Sequence, residues 1–374
     1  MIAPPGLGRR LRGLADPLVS AAGAVPGADR YRKRFPARAH LWILLDHVLA
    51  GGDSLRQTHA RLETGGWAGL GLPDGISLSQ LARSSTSRSP DPAAHLLAAL
   101  VARARRAADR AARADPAWAA LRNVQLVDST FVALSAALSP WAVRGKHPAG
   151  VRVHTGLDLA GGIPASLVVT TPRTHDAAAF DDRDWGALRG WTVVVDRAYY
   201  GHARFAALRE AGVSFVCRLN PQATQTVTAT RPVDPTPSPA GDALLTDATV
   251  TLGTPANPAS TVVPGLRVVT YRTAKGETHG LVTDRFDLSA GEVVALYRQR
   301  WAIELFFRWL KRQLKALRPL GRSEAAVTLG IVVAAAAALL VMLLDEERPP
   351  GVSRVAFTRG VAVLLLPPPA TGPG

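Results

Sequence analysis

Two hydrophobic rhythms run along this chain, and the change between them falls near residue 123. Up to about residue 115 the apolar positions recur at helical spacing. Ala37–Leu49 is an apolar-rich stretch directly after Pro36, and proline favours the position just before or inside a helix start. A second helix is predicted over residues 54–62, beyond the Gly51-Gly52 break. Residues 76–83 read as a short helix of the recognition type, after a Gly-Leu-Pro-Asp-Gly turn. Residues 65–75 and 84–92 read as loops. Residues 95–114 predict a helix bearing Arg103, Arg105, Arg106, Arg110 and Arg113; a solvated face and a DNA contact both account for those arginines.

Beyond residue 123 the pattern is that of strands. Residues 124–127, 151–159, 165–171, 192–195 and 214–219 are short, apolar and often β-branched. A helix over residues 201–211 makes a strand-helix-strand unit of the last two. Residues 220–242, rich in Pro, Thr and Ala, read as a linker, and short strands resume between 246 and 283. One long helix is predicted from about 289 to 317. Residues 325–344 carry no charge. Their many alanines and the soluble character of the rest favour a buried core helix over a membrane span, so no membrane partner is expected.

Composition narrows the function. The 374 residues contain 44 Lys+Arg against 29 Asp+Glu, a formal charge of +15. Such an excess points to a polyanion, because each neutralised phosphate releases counterions; a basic surface kept for solubility is the other reading. A single cysteine, Cys217, excludes a disulfide framework and a multi-cysteine zinc site, and its apolar surroundings predict an inert buried thiol. No HExxH, GxSxG or P-loop pattern occurs.

The candidate chemistry lies in three acids. Asp128 follows Val124-Gln125-Leu126-Val127, and Asp196 follows Thr192-Val193-Val194-Val195. A carboxylate at the end of a buried strand is held rigidly enough to help chelate a hard cation; an aspartate capping the turn after a strand is the plainer alternative. The long helix adds a third. With Tyr297 set at zero and about 100° per residue, Tyr297, Arg300, Glu304, Arg308, Lys311, Lys315 and Arg318 share an arc of roughly 80°. Ala302, Ile303, Phe306, Trp309 and Leu310 take the opposite side. Glu304 is the only acid between Tyr297 and Arg318, among seven Lys and Arg. That suits a metal ligand better than a general acid, against the alternative of a solvated salt bridge on an amphipathic helix.

Tyr297, Arg300, Glu304 and Lys311 match the Y-x2-R-x3-E-x6-K signature of bacterial insertion-sequence DDE transposases position for position. Val127-Asp128-Ser129-Thr130, Asp196-Arg197-Ala198-Tyr199-Tyr200 and Ile303-Glu304-Leu305-Phe306-Phe307 resemble that family's wording, and residues 30–35 and 54–56 are similar to its N-terminal domain. The resemblance implies an α/β fold: a ribonuclease-H-like core with a β-rich insertion, preceded by a helical N-terminal domain. The implied domains are a DNA-binding domain at 1–115, the core at 116–220 and 289–348, the insertion at 221–288 and a tail at 349–374. It further implies cut-and-paste transposition, with two Mg2+ ions (Mn2+ substituting) held by Asp128, Asp196 and Glu304. Tyr297, Arg300 and Lys311 would grip phosphates, with Arg308, Lys315 and Arg318 as further DNA contacts. Partners would be double-stranded element ends and target DNA, bound by a dimer in the bacterial cytoplasm at the nucleoid. A nuclease or resolvase on the same fold, and a catalytically silent DNA-binding derivative, are the competing readings.

Overall fold

The computed structural model describes residues 7–30, 34–51, 54–64, 66–114, 122–143, 145, 148–171, 173–234, 236–254, 261–313, 320–345, 348–352, 357–358 and 360–361. The chain divides into two compact units. One comprises Met1–Ala108, Phe131–Arg152 and Phe306–Gly374, the other Asp109–Thr130 and Val153–Leu305.

The first unit is mainly helical. Helix α1 (Leu7–Gly23) buries Leu7, Leu11, Leu14, Ala15, Val19 and Ala22, a spacing of three and four that makes one apolar stripe. Helix α2 (Ala37–Leu49) begins directly after Pro36, and all its residues but Arg38 are buried. Helix α3 (Leu55–Glu63) is capped by Ser54, whose hydroxyl accepts from Gln57 N at 3.2 Å. A single turn, α4 (Gly66–Gly69), occurs where a loop was expected. Helices α5 (Leu78–Ser87) and α6 (Asp91–Ala114) leave only three residues between them, so the loop predicted over 84–92 is mostly helical. The hydroxyls that suggested a loop are absorbed by the helix: Ser85 donates to Leu81 O and Thr86 to Ala82 O, the back-bonding open to Ser and Thr inside helices.

The uncharged segment near residue 335 forms a helix of twenty residues, Glu324–Leu343, started by the Ser323 cap. It is long and apolar enough to cross a membrane, yet Ala334 to Ala338 have no exposed surface and the helix packs on α2 and α5. Alanines let neighbouring helices approach closely, and burial inside the unit is the outcome the sequence predicts.

A nine-stranded sheet organises the second unit. Its strands are β1 (Val124–Ala133), β2 (Gly150–Asp158), β3 (Ile163–Thr170), β4 (Thr192–Val195), β5 (Ser214–Arg218), β6 (Gln225–Arg231), β7 (Ala243–Leu252), β8 (Val263–Arg272) and β9 (Thr278–Thr283), in the order β3-β2-β1-β4-β5-β9-β8-β7-β6. Strands β1, β4 and β5 pair in parallel. Their connections carry α7 (Asp176–Asp181) and α8 (His202–Glu210), because parallel neighbours need a crossover. This 3-2-1-4-5 order is the ribonuclease-H-like core. The β-rich insertion continues the same sheet: β9 pairs antiparallel with β5, and β8, β7 and β6 extend it as antiparallel neighbours. Strand β6 lies within the segment read as a linker. All seven of its residues are exposed, so it shows no apolar signal despite Thr226, Thr228 and Thr230 recurring at every second position.

On one face of the core, Val127, Val193, Val195, Phe215 and Cys217 pack against Phe180, Tyr199, Phe205 and Leu208. The Phe205 and Phe215 rings stack at 4.4 Å, and Cys217 is a buried free thiol, as predicted. The helix expected over 289–317 is two helices, α9 (Ala290–Arg298) and α10 (Trp301–Gln313), and its last residues lie outside the described ones. Between them Arg300 N bonds Tyr297 O, Ala302 N bonds Gln299 O and Ile303 N bonds Arg300 O. These are i to i−3 bonds, which wind tighter than an α-helix and shift the phase of α10 relative to α9. No Gly or Pro marks the break. Tertiary anchors flank it instead, with Arg298 paired to Asp242 and Arg300 to Asp128. The Glu324–Leu343 helix, next in chain order, is α11.

Candidate active site

Parallel pairing brings the two aspartates to one level. Val127 of β1 stands opposite Val195 of β4, so Asp128 and Asp196 are the next residues on adjacent strands, which run about 4.8 Å apart. Each is oriented by the backbone after it. Asp128 Oδ1 accepts from Ser129 N at 2.8 Å, and Asp196 Oδ1 accepts from Arg197 N at 2.6 Å. Strand β1 continues past Asp128 to Ala133, whereas β4 ends at Val195 and the chain turns through Arg197–Tyr199.

Glu304 comes from the first turn of α10. The tight turn before that helix delivers Arg300, whose guanidinium joins the acids: Nη2 donates to Glu304 Oε1 at 2.6 Å and Nη1 to Asp128 Oδ2 at 3.4 Å. The Asp128, Glu304 and Arg300 side chains are 21%, 31% and 17% exposed, so water screens them only in part. Burial pushes the Asp128 carboxyl up to about 6, and the Asp196 and Glu304 charges add to the rise against the Ser129 amide and Arg300. Three acids thus share one electrostatic neighbourhood, with one cation bridging two of them.

Tyr297 is buried, and its hydroxyl is pushed up by burial and then by the Asp196 charge. Together with Arg218, Lys275, Arg298, Arg300 and Trp301 it lines a cleft of about 350 Å³. Further along α10, Arg308 is exposed, while Lys311 donates to Phe131 O at 3.2 Å and its amine is lowered by burial. Lys315 and Arg318 lie outside the described residues.

All three acids offer hard oxygen donors, the kind that Mg2+ and Mn2+ take, and the mutual repulsion felt at Asp128 is what a cation relieves. The donor set therefore fits a divalent ion. As the side chains stand, no group of three or more His, Cys, Asp or Glu among the described residues forms a ready cation cage. Arg300 supplies the positive charge that lies between Asp128 and Glu304.

Sequence reasoning passed over two residues behind β1. The Ser129 hydroxyl donates to Asp176 Oδ1 at 2.6 Å, and His154 Nδ1 stands 3.6 Å from the same oxygen. A polar Thr174-His175-Asp176 sequence just after a strand was the available signal, but its meaning depends on a contact 47 residues away.

Residues 119–340 match the family model described as Transposase DDE domain. A protein of Geobacillus stearothermophilus named "Probable transposase for insertion sequence element IS5377" is 32% identical over 208 residues, covering 55% of this chain and 52% of that protein. Protein y4zB of Sinorhizobium fredii (strain NBRC 101917 / NGR234), also named as a transposase, is 31% identical over 206 residues, covering 55% and 56%. The chain thus spans about half the length of the curated relatives it matches. Among solved structures, the piggyBac transposase synaptic complex with hairpin DNA shares 11% identity at a TM-score of 0.47, covering 98% of this chain and 80% of that one.

Proposed function

Because the chain belongs to the Transposase DDE domain family, we propose that it cuts DNA at the ends of an insertion sequence and joins the freed ends to target DNA by cut-and-paste transposition. The observation that carries this reading is that Asp128 and Asp196 each directly follow the last paired residues of parallel neighbours, Val127 and Val195, with Glu304 tied to Asp128 through Arg300. In this reading Asp128, Asp196 and Glu304 hold two Mg2+ ions, or Mn2+ in their place. Such ions supply Lewis acidity and an activated water or 3′-hydroxyl for in-line attack on a phosphodiester.

The chain's own residues do the rest. The Ser129 and Arg197 amides fix one oxygen of each aspartate, so the carboxylates are oriented before a cation or DNA arrives. Arg300 balances their charge at rest and is placed to neutralise charge gathering on phosphorus. Tyr297, Arg300 and Lys311, with Arg308, Lys315 and Arg318, grip the phosphates of double-stranded element ends and target DNA. The catalytic assembly is a dimer on DNA, acting in the cytoplasm at the nucleoid.

The deciding experiment incubates the protein with Mg2+ and duplexes carrying its own element's ends. Cleavage together with a joined product supports the reading. Cleavage that never yields a joined product replaces it with the nuclease, and DNA binding without cleavage replaces it with the silent derivative.

A further inference from the structure

We propose that Asp176 is a positioning residue for Asp128, acting through the Ser129 hydroxyl from behind the sheet. The inference rests on the reading of Asp128 as a metal ligand. Strand β1 is paired to β4 only as far as Val127 opposite Val195, because β4 stops there. Asp128 is therefore the first residue of β1 to lose that lateral support. Side chains alternate across a strand. Ser129 accordingly projects to the face of Val127, where Phe180 and Tyr199 pack, and Asp128 to the other.

On that rear face Ser129 meets a prepared partner. Asp176, at the start of α7, accepts the Ser129 hydroxyl at 2.6 Å. His154 is buried beside it, its Nδ1 3.6 Å from Asp176 Oδ1 and its Nε2 2.8 Å from the Thr170 hydroxyl of β3. Asp176 of α7 thus takes the hydroxyl next to Asp128, and His154 of β2, itself bonded to Thr170 of β3, backs that carboxylate. The Tyr199 hydroxyl completes the rear wall: burial raises it, and the Asp128 and Asp176 charges raise it further. Both carboxylates therefore lie within electrostatic reach of one phenol. The Ser129 backbone is held from behind by its side chain, while its amide holds Asp128 Oδ1 in front. Groups that orient a metal ligand in this manner typically change metal affinity 10–100-fold when removed.

The test measures Mn2+ binding to the full chain by the loss of the free-ion paramagnetic resonance signal, without DNA, and unfolding in urea alongside. Asp176→Ala and Ser129→Ala should each weaken Mn2+ binding roughly tenfold. Asp176→Asn and Ser129→Thr, which keep the acceptor and the hydroxyl, should stay close to wild type. Ser129→Ala removes one oxygen, so it reports even if Asp176→Ala fails to fold. A merely structural role predicts lower urea midpoints with unaltered Mn2+ affinity, and that result overturns the proposal. Equal losses in Asp176→Asn and Asp176→Ala overturn it too, since Asp176 would then act by its charge. Asp196→Asn separates the two levels. If it abolishes Mn2+ binding while the rear-face variants leave affinity intact, only the positioning role falls. If it leaves binding intact, the metal-site reading falls and takes the positioning role with it.

Discussion

Arg300 shows what single residues contribute here. Its guanidinium holds Asp128 and Glu304 together, so removing it takes away the cation those two acids share. Arg300→Ala should cost about 1.5–3 kcal/mol of stability in cation-free buffer, the range for losing a hydrogen bond between charged groups. Added Mg2+ should narrow that gap, and urea unfolding with chelator and with Mg2+ reads both values; a gap that Mg2+ leaves unchanged would argue against a shared cation site. Glu304→Gln keeps shape and helix propensity but removes the charge a hard cation requires. DNA cleavage should fall by about a thousandfold or more, while DNA binding measured by filter retention holds or strengthens. Near-normal cleavage would mean that another acid fills the third position. The β-branched stretches before Asp128 and Asp196 made the strand ends legible in the sequence, because branched side chains favour the pleated surface. The Ser129–Asp176 bond and the Lys311 contact to Phe131 O were not legible, because they span 47 and 180 residues and no local pattern encodes them.

At the scale of elements, legibility tracked burial. Helix α2 and strands β4 and β5 were readable because one apolar pattern fixes each. Strand β6 was missed because every residue on it is exposed, and its strand form depends on pairing with β7. The break before α10 was missed for a related reason: no Gly or Pro marks it, and the pairs beside it, Arg298 with Asp242 and Arg300 with Asp128, join residues far apart in the chain. The start of α9 is the opposite case, a local device. Ser289 accepts from Glu292 N, and the Glu292 carboxylate accepts from Ser289 N, closing a capping box. Ser289→Ala should lower stability by about 1 kcal/mol without changing the ratio of joined to cleaved product. A parallel loss in that ratio would show that the placement of α9 reaches the chemistry.

Across the whole molecule the charge of +15 sets the terms of association. If binding neutralises six to ten phosphates, affinity for element ends should fall by about a thousandfold or more between 50 and 200 mM salt. A titration across that range, at fixed pH, gives the slope directly, and a flat response would remove phosphate contacts as the main source of affinity. The sheet also sets where the chain tolerates changes in length. Strands β9, β8, β7 and β6 are added beyond β5, on the side of the sheet away from β1. Residues inserted between β6 and β7 add only a small loop entropy, since each doubling of a loop costs about 0.6 kcal/mol, and they leave the Asp128–Asp196 register untouched. A single residue inserted within Thr192–Val195 would instead slide Asp196 past its neighbour and turn it to the opposite face. Drift in gene length can therefore accumulate at the outer hairpin, while the four codons of β4 admit none.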